Sequence, residues 1–407
     1  MGVVIVVGGG ASGMISAITS AKQGNRVILF EKNEKLGKKL YITGKGRCNV
    51  TNDCSVTDFI NNVPTNPKFL YSAINAFTPT DVMDFFENNG LNLKVERGKR
   101  VFPASDKSSD VIKTLEKCCK SYGVEIKLNS NVNSLILDDD KVIGVNVNNE
   151  KVYCDSVIVC TGGLSYPLTG STGDGFKFAK TCGHKIINPV ASLVGIEIKG
   201  DFYKKVQGIS LKNVQFTAMR GQKKIYSEFG EMLFTHYGVS GPIVLSCSAI
   251  INKMDLNDIS FSIDFKPALS EEVLDNRLIR EFESFDKKSL ANAMFTLLPK
   301  NLSQVVIEKA SVSFSKKCSD ITVEERKRLV FALKNFTFKP RSLRPIEEAI
   351  ITSGGIDVKE INPKTMESKL IKNLYFAGEV LDVDCFTGGF NIQAAFSTGF
   401  VAGQNAK

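Results

Sequence analysis

The chain has 407 residues, 43% of them hydrophobic and 23% charged, a globular balance that excludes a disordered or fibrous chain and leaves room for two or three domains. Lysine and arginine outnumber aspartate and glutamate by 52 to 43. No apolar run approaches the roughly 18–20 residues of a membrane helix.

The first element in chain order is Val3–Val7, a short β-branched run closed by Gly8-Gly9-Gly10, as expected of a buried parallel strand. No basic segment precedes it, so it reads as neither a signal peptide nor an anchor, and a cytoplasmic location is the expectation. A helix from Gly13 to about Lys22 and a second apolar strand, Arg26 to Phe30, complete a βαβ unit that ends at Glu31. Helical spacing recurs over 81–89 and 106–122, followed by a strand over 124–128. The runs 132–137, 142–147 and 150–153 are broken by Asp138-Asp139-Asp140 and Asn148-Asn149, which predicts a three-stranded antiparallel meander. Another buried strand follows over 156–160.

From about Val190 the pattern changes to alternating segments at 194–198, 214–219 and 259–265, which points to a small β-barrel. From Ser270 to about Lys334 it turns helical, with Leu274, Leu278, Ile279 and Phe282 on one face. Strand-like segments return between Ala349 and Glu379, and a last helix is expected from about Asn391 to Gln404. The nucleotide domain is therefore expected to be discontinuous, completed by the C-terminus.

The basic residues lie mostly in scattered pairs such as Lys204-Lys205 and Lys223-Lys224. Without an aromatic-basic stripe, this favours a solvated surface that attracts anionic ligands over a nucleic-acid binder. Ten cysteines contain no CxxC pair, and His184 and His236 are the two histidines. No metal site is expected, and the thiols read as buried apolar residues in a reducing compartment.

Gly8, Gly10 and Gly13 form GxGxxG between a strand and a helix, and Glu31 closes the next strand 23 positions after Gly8. That context identifies a dinucleotide site: a tight turn at Gly8, close pyrophosphate approach at Gly10, and helix–strand packing at Gly13. The helix start, with Ala11 and Ser12, faces the phosphates, and Glu31 accepts from ribose hydroxyls. A simple NAD domain would repeat βα units after Glu31. This chain instead inserts a meander before Val159-Cys160-Thr161-Gly162-Gly163, and later reaches Tyr375-Phe376-Ala377-Gly378-Glu379. Both ends thus resemble FAD proteins of the glutathione-reductase type, in which an acidic residue of the last motif binds the ribityl chain.

Four blocks narrow the resemblance: 43–52 (Thr-Gly-Lys-Gly-Arg-Cys-Asn-Val-Thr-Asn), 170–175 (Gly-Ser-Thr-Gly-Asp-Gly), 234–242, and 378–384 with 387–391. Together they are similar to the BaiN and aminoacetone-oxidase family of FAD-dependent flavoproteins, over nearly the whole chain. The family usually has glycine where this chain has Cys385. The resemblance implies an α/β fold: a Rossmann-like FAD-binding domain with an antiparallel meander, interrupted by a β-barrel plus α-helical insert. The expected boundaries are 1–189 and 340–407 for the FAD domain, 190–268 for the barrel and 269–339 for the helices. It implies noncovalent FAD held by Gly8, Gly10, Ala11, Ser12, Gly13, Glu31, Lys32, Lys39, Gly44, Arg47, Cys48, Asn49, Val132, Thr161, Gly162, Gly163, Gly173 and Asp174. From the C-terminal blocks it adds Gly378, Glu379, Asp384, Gly388, Gly389, Phe390, Asn391 and Ile392.

Arg47 is expected to neutralise the pyrophosphate or to fix the loop beside it. Cys48 invites a redox reading but lacks a dithiol partner, which favours packing. Val132 is expected to meet the adenine through its backbone. The bare pair Gly388-Gly389 and the following helix start are expected to face the pyrimidine edge of the flavin. His236 with Tyr237 is the acid/base candidate, set against a core-histidine role. His184, after Gly183, reads as structural, and Asp382 with Asp384 as backbone or ribityl anchors. The insert is expected to cover the flavin and choose the substrate. The function implied is an FAD-dependent oxidoreductase of small organic substrates. The leading form is an NAD(P)H-linked reductase of a conjugated C=C bond, as in 3-oxo-steroid bile-acid intermediates, with NAD(P)H as a transient donor. An oxygen-using amine oxidase of the aminoacetone type, a flavin-containing RNA-modifying protein and a flavin carrier are the alternatives.

Overall fold

A computed structural model describes residues 1–407. The chain forms two compact units, Met1–Ser192 with Ile346–Lys407, and Leu193–Pro345. No helix is long and apolar enough to cross a membrane.

The first unit is built on a five-stranded parallel sheet in the order Leu374–Phe376, Ser156–Val159, Val3–Val7 (β1), Arg26–Phe30 (β2) and Glu125–Lys127. Every neighbouring pair is parallel. Such strands bury both faces, and Val4, Ile5, Val6, Val157, Ile158 and Val159 have no exposed surface. The strands Val132–Asp138, Lys141–Val147 and Glu150–Tyr153 pair antiparallel as the meander. The first helix, α1 (Ala11–Lys22), packs on the C-terminal helix Phe390–Asn405 at very short range. Glycine makes this possible: a Cβ at Gly399 or Gly403 would overlap the carbonyl oxygen of Ser12 or Ser16. The Ser16 hydroxyl also donates to the Gly399 carbonyl at 2.9 Å.

Sequence reading misses a second small sheet, Leu93–Glu96, Arg100–Pro103 and Thr51–Asn52. Its strands are two to four residues long, too short for a period to register. A ribbon of Ile186–Ser192 against Ile351–Ile356 ends at the pair Ser192 and Ile351. The second unit leaves and re-enters the chain at that point.

The second unit contains a seven-stranded antiparallel sheet. Its order is Phe336–Phe338, Ile259–Asp264, Ser210–Arg220, Lys223–Phe234, Gly238–Ser240, Ile196–Ile198 and Pro340–Leu343. The two end strands do not pair, yet one residue, Lys339, joins them. A single residue spans only about 7 Å between its neighbours, so the sheet edges meet and the barrel is closed by chain connectivity rather than by a ladder. This moves two boundaries. The strands at 336–343 belong to the barrel, so the unit runs to Pro345 rather than to 339. Barrel and helices also share one core: Phe216, Phe261 and Ile263 pack in the same cluster as Leu274, Leu278, Leu302 and Leu333. The helix Pro242–Ile251 escapes sequence reading because it is apolar almost all round, which erases its 3.6-residue stripe.

Candidate functional site

The glycine loop after β1 separates two kinds of glycine. Gly8 has φ +104°, and a Cβ there would press on the Cys160 carbonyl; a Cβ at Gly13 would overlap the Gly8 carbonyl. Both are demanded by the protein's own packing. Gly10 has nothing within 4 Å of its Cβ position, and its φ of −84° suits any residue. What Gly10 leaves open is space for a ligand. Beside it, α1 begins with no side-chain cap, so the first-turn amides around Ala11, Ser12 and Gly13 can face an anion. The buried Glu31 carboxylate accepts from Gly9 N at 2.7 Å and from Asn33 N at 2.9 Å. Asn33 Nδ2 also donates to the oxygen that Asn33 N meets, at 2.6 Å, so the oxygen facing Gly9 is the one that keeps a lone pair for a ribose hydroxyl. Ser130 N donates to the Glu31 carbonyl at 2.9 Å, which brings the chain entering Val132 alongside this carboxylate.

The later turns close around the same sheet end. Thr161 Oγ1 accepts from Gly175 N at 3.1 Å, and Lys32 donates to Asp174 at 2.7 Å. Gly162 and Gly173 adopt φ of +73° and +77°. Gly163 leaves no room for a Cβ beside Thr352. Glu379, expected as a ribityl ligand, has both carboxylate oxygens engaged by protein: Lys39 at 2.5 Å on one, Ser165 Oγ at 2.9 Å and Thr352 N at 2.8 Å on the other. These bonds tie the Lys39 helix to the strand at 351–356. Gly378, at φ +80°, sits against Ser12.

The other expected ligands are engaged within the protein as follows. Arg47 does not stand free to neutralise a phosphate. Its guanidinium is shared by Glu96 and Asp106 and lies 4.2 Å from the Phe102 ring centroid. It clamps the loop in which Gly44, Lys45, Gly46 and Cys48 all have positive φ. Cys48 is fully buried, and desolvation pushes its thiol up to about 12, so packing prevails over redox chemistry. Asp384 accepts from Ser192 Oγ at 2.7 Å and Ser353 Oγ at 3.0 Å, a structural cross-link. Gly389 is not bare: its Cβ would strike the Thr51 backbone. Phe390 turns inward to Phe59, with centroids 5.5 Å apart. The Asn391 amide is spent on Cys385, accepting from its N at 2.9 Å and donating to its O at 2.8 Å. Ile392 is half-buried against the core. What this segment can offer a ligand is the uncapped start of the C-terminal helix. Asn49 offers more, because its buried Oδ1 has no hydrogen-bond partner and a ligand donor would satisfy it.

Sequence reading also misses Thr352, Ser165 and Gln393. Thr352 Oγ1 accepts from Leu164 N at 2.8 Å, and Gln393 accepts from Thr51 Oγ1 at 2.6 Å. The adjacent Gly354-Gly355 inside an apolar run was the available signal for the first of these.

In the second unit, His236 and Tyr237 form the tip of a tight hairpin turn, closed by Thr235 N to the Gly238 carbonyl at 2.8 Å. His236 is exposed, and the two rings meet edge to face at 5.0 Å. Tyr237 packs against Gly195, where a Cβ would strike its ring, with the Arg344 guanidinium 4.8 Å from its centroid. His236 is therefore not a core histidine. His184, in the first unit, is one: its ring nitrogens meet Glu360 at 3.1 Å and Ser368 at 2.8 Å.

A dinucleotide-shaped cradle on a parallel sheet agrees with the relatives of this chain. The sequence profile of the HI0933-like protein Rossmann domain matches residues 2–405. The chain belongs to that family. It is 34% identical over 401 residues to a ribosomal RNA dihydrouridine synthase of Haemophilus influenzae, covering 97% of this chain and 96% of that protein. It is 28% identical over 405 residues to the 3-dehydro-bile acid delta(4,6)-reductase of Clostridium scindens, covering 98% of each. The solved 3-ketosteroid delta1-dehydrogenase of Sterolibacterium denitrificans shares the fold, with a TM-score of 0.52 at 13% identity and 98% of each chain covered. This member of the family is an FAD-dependent oxidoreductase. Its residues fit the cofactor: open space at Gly10, two uncapped helix starts, the buried Glu31 carboxylate and the orphan Asn49 oxygen.

Proposed function

We propose that this flavoenzyme reduces a carbon–carbon double bond conjugated to a carbonyl, and that its substrate is a uracil base of ribosomal RNA. The reaction class has support from both relatives. Dihydrouridine is uridine with hydrogen added across C5–C6, a bond conjugated to the C4 carbonyl. A delta(4,6)-reductase of a 3-oxo compound acts on the same kind of system. The observation that carries RNA over a steroid is the 34% identity along nearly the full length of both chains.

The charge distribution supports it. The second unit holds 24 lysines and arginines against 17 acidic residues, and the first 28 against 26. The excess that looks scattered along the sequence thus sits mainly on one unit, as a nucleic-acid partner requires.

When bound and first reduced by NAD(P)H, FAD would supply the hydride. In this reading the α1 amides hold the pyrophosphate, Glu31 the adenosine ribose, and the amides at Phe390–Ile392 the pyrimidine edge, where they favour negative charge. Thr161, Gly162, Gly163 and Asn49 complete the cradle. The carbon next to the carbonyl takes a proton, which we assign to the His236–Tyr237 pair, exposed on its hairpin tip.

Anaerobic incubation of the enzyme with NADH or NADPH and unmodified ribosomal RNA tests the proposal. Nuclease digestion and mass spectrometry should find uridine gaining two hydrogens, while a 3-oxo-4,6-diene steroid stays unreduced. Steroid reduction with unchanged RNA would replace this reading by the bile-acid one.

A further inference from the structure

We propose that the barrel end carrying the Arg220–Lys223 turn is a docking surface for the phosphate backbone of RNA, an inference that rests on the RNA reading above. Topology, not sequence proximity, builds this surface. Arg220 is in register with Lys223 and with Ile259, which places the turn beside the segment 256–258. Gly221 N donates to the Asp258 carbonyl at 3.3 Å. The strand that starts at Ile259 carries Phe261 opposite Phe338, so the connector Lys339 arrives at the same end. Ile198 pairs with Pro340, and Lys199 N donates to the Lys339 carbonyl at 2.9 Å. Three segments that lie far apart in the chain thus deliver Lys199, the pair Arg220 and Lys223, and Lys339 to one end of the barrel, all of them exposed.

The opposite end shows the contrast. There Lys334 is paired with Asp264 at 2.6 Å and Arg344 with Glu197 at 2.7 Å. At the basic end Lys199 rests on a neutral amide, Asn257 Oδ1 at 3.2 Å, and Arg220 meets Asp258 at 3.7 Å while half-exposed. Neighbouring strands lie about 4.8 Å apart, so cations spread over four of them span on the order of 15–20 Å, several nucleotides of an RNA strand. Lysine heads on flexible stems suit phosphates as point charges. Contacts of this kind give affinity and orientation without reading sequence.

The test uses the full-length, FAD-loaded enzyme and two fluorescent single-stranded RNAs of equal length, one of mixed sequence and one lacking uracil. Binding is followed by anisotropy between about 50 and 200 mM salt. Substituting Lys199→Glu, Lys223→Glu and Lys339→Glu together should weaken both RNAs by about tenfold or more, and should reduce the salt slope of log affinity by about two. A control with the same charge change on the helical part, Lys287→Glu, Lys288→Glu and Lys317→Glu, should bind within a few-fold of wild type. Flavin absorbance and thermal melting establish that each protein is folded, and glutamine versions of the three substitutions serve if the glutamates disturb folding.

Wild-type affinity and slope in the barrel triple would overturn the proposal. So would an equal loss in the control, or binding to phosphatidylserine–phosphatidylcholine vesicles with none to RNA. The two readings fail separately. RNA binding that needs these lysines, without any dihydrouridine formed, removes the uracil reaction and keeps the surface. Dihydrouridine formed by an enzyme whose RNA affinity ignores these lysines does the reverse.

Discussion

Glycine and histidine at single positions show how the same residue type serves packing or ligand. Gly13 is held by its neighbour's carbonyl, whereas Gly10 faces open space. Gly10→Val should therefore give a folded but colourless protein, because the side chain enters space that only the cofactor uses. Gly13→Ala should cost on the order of 1–3 kcal/mol through overpacking before cofactor binding is considered. Flavin absorbance together with denaturant melts separates the two outcomes, and full FAD occupancy in Gly10→Val would remove the cradle from this loop. His184 makes a pH prediction. Burial lowers its pKa, and the bond to Glu360 opposes this without winning. Above about pH 6.5, the ordinary histidine value, folded and unfolded chains are both neutral there. As pH falls through that value toward the lowered folded one, the unfolded chain takes up the proton first, so stability is lost. Urea melts between about pH 7 and 5 should show this loss, and His184→Asn should flatten it; an unchanged slope in the variant would show that His184 is not its source.

At the scale of elements, the position of α1 depends on the helix at the far end of the chain. The Gly399 and Gly403 backbones touch Ser12 and Ser16 so closely that no Cβ fits. Gly403→Val should force the helices apart, at a cost of about 1–3 kcal/mol, and should weaken FAD binding because the start of α1 moves with it. A lower urea midpoint and a higher FAD dissociation constant should appear together; a normal midpoint would show that the contact yields without cost. Legibility at this scale follows length and pattern. The meander is readable because Asp138-Asp139-Asp140 and Asn148-Asn149 break it into alternating runs. Helix Pro242–Ile251 carries no stripe, and the strand Thr51–Asn52 has too few residues to show one.

For the whole molecule, the chain path makes the two units separable. Leu193–Pro345 is continuous and owns a hydrophobic core, and it departs from a ribbon whose last pair is Ser192 with Ile351. Replacing residues 193–345 by a short Gly/Ser link should leave a yellow protein that binds FAD but reduces neither RNA nor a steroid. The excised unit should fold alone, with a cooperative melt by circular dichroism. A deletion protein that cannot hold FAD would show that the cradle needs more than the first unit supplies.

The β1–α1–β2 unit with Glu31 at its end is legible in the chain alone, because a β-branched run, spaced glycines and a helical stripe are written within 31 consecutive residues. The return of the nucleotide fold at the C-terminus is legible for the same reason, since Leu374–Phe376 and the glycines that follow are again a local pattern. Tertiary structure alone decided which side chains are free to act. Lys39 and Glu379 meet across 340 positions, and Arg47 meets Glu96 across 49. Nothing local marks either pair, so residues that read as cofactor ligands turn out to be engaged by the protein. The basic end of the barrel has the same origin. Lys199, Arg220, Lys223 and Lys339 are scattered in the chain and gathered by strand register. Periodicity records which face a residue takes; only the closed sheet records which residues share an end.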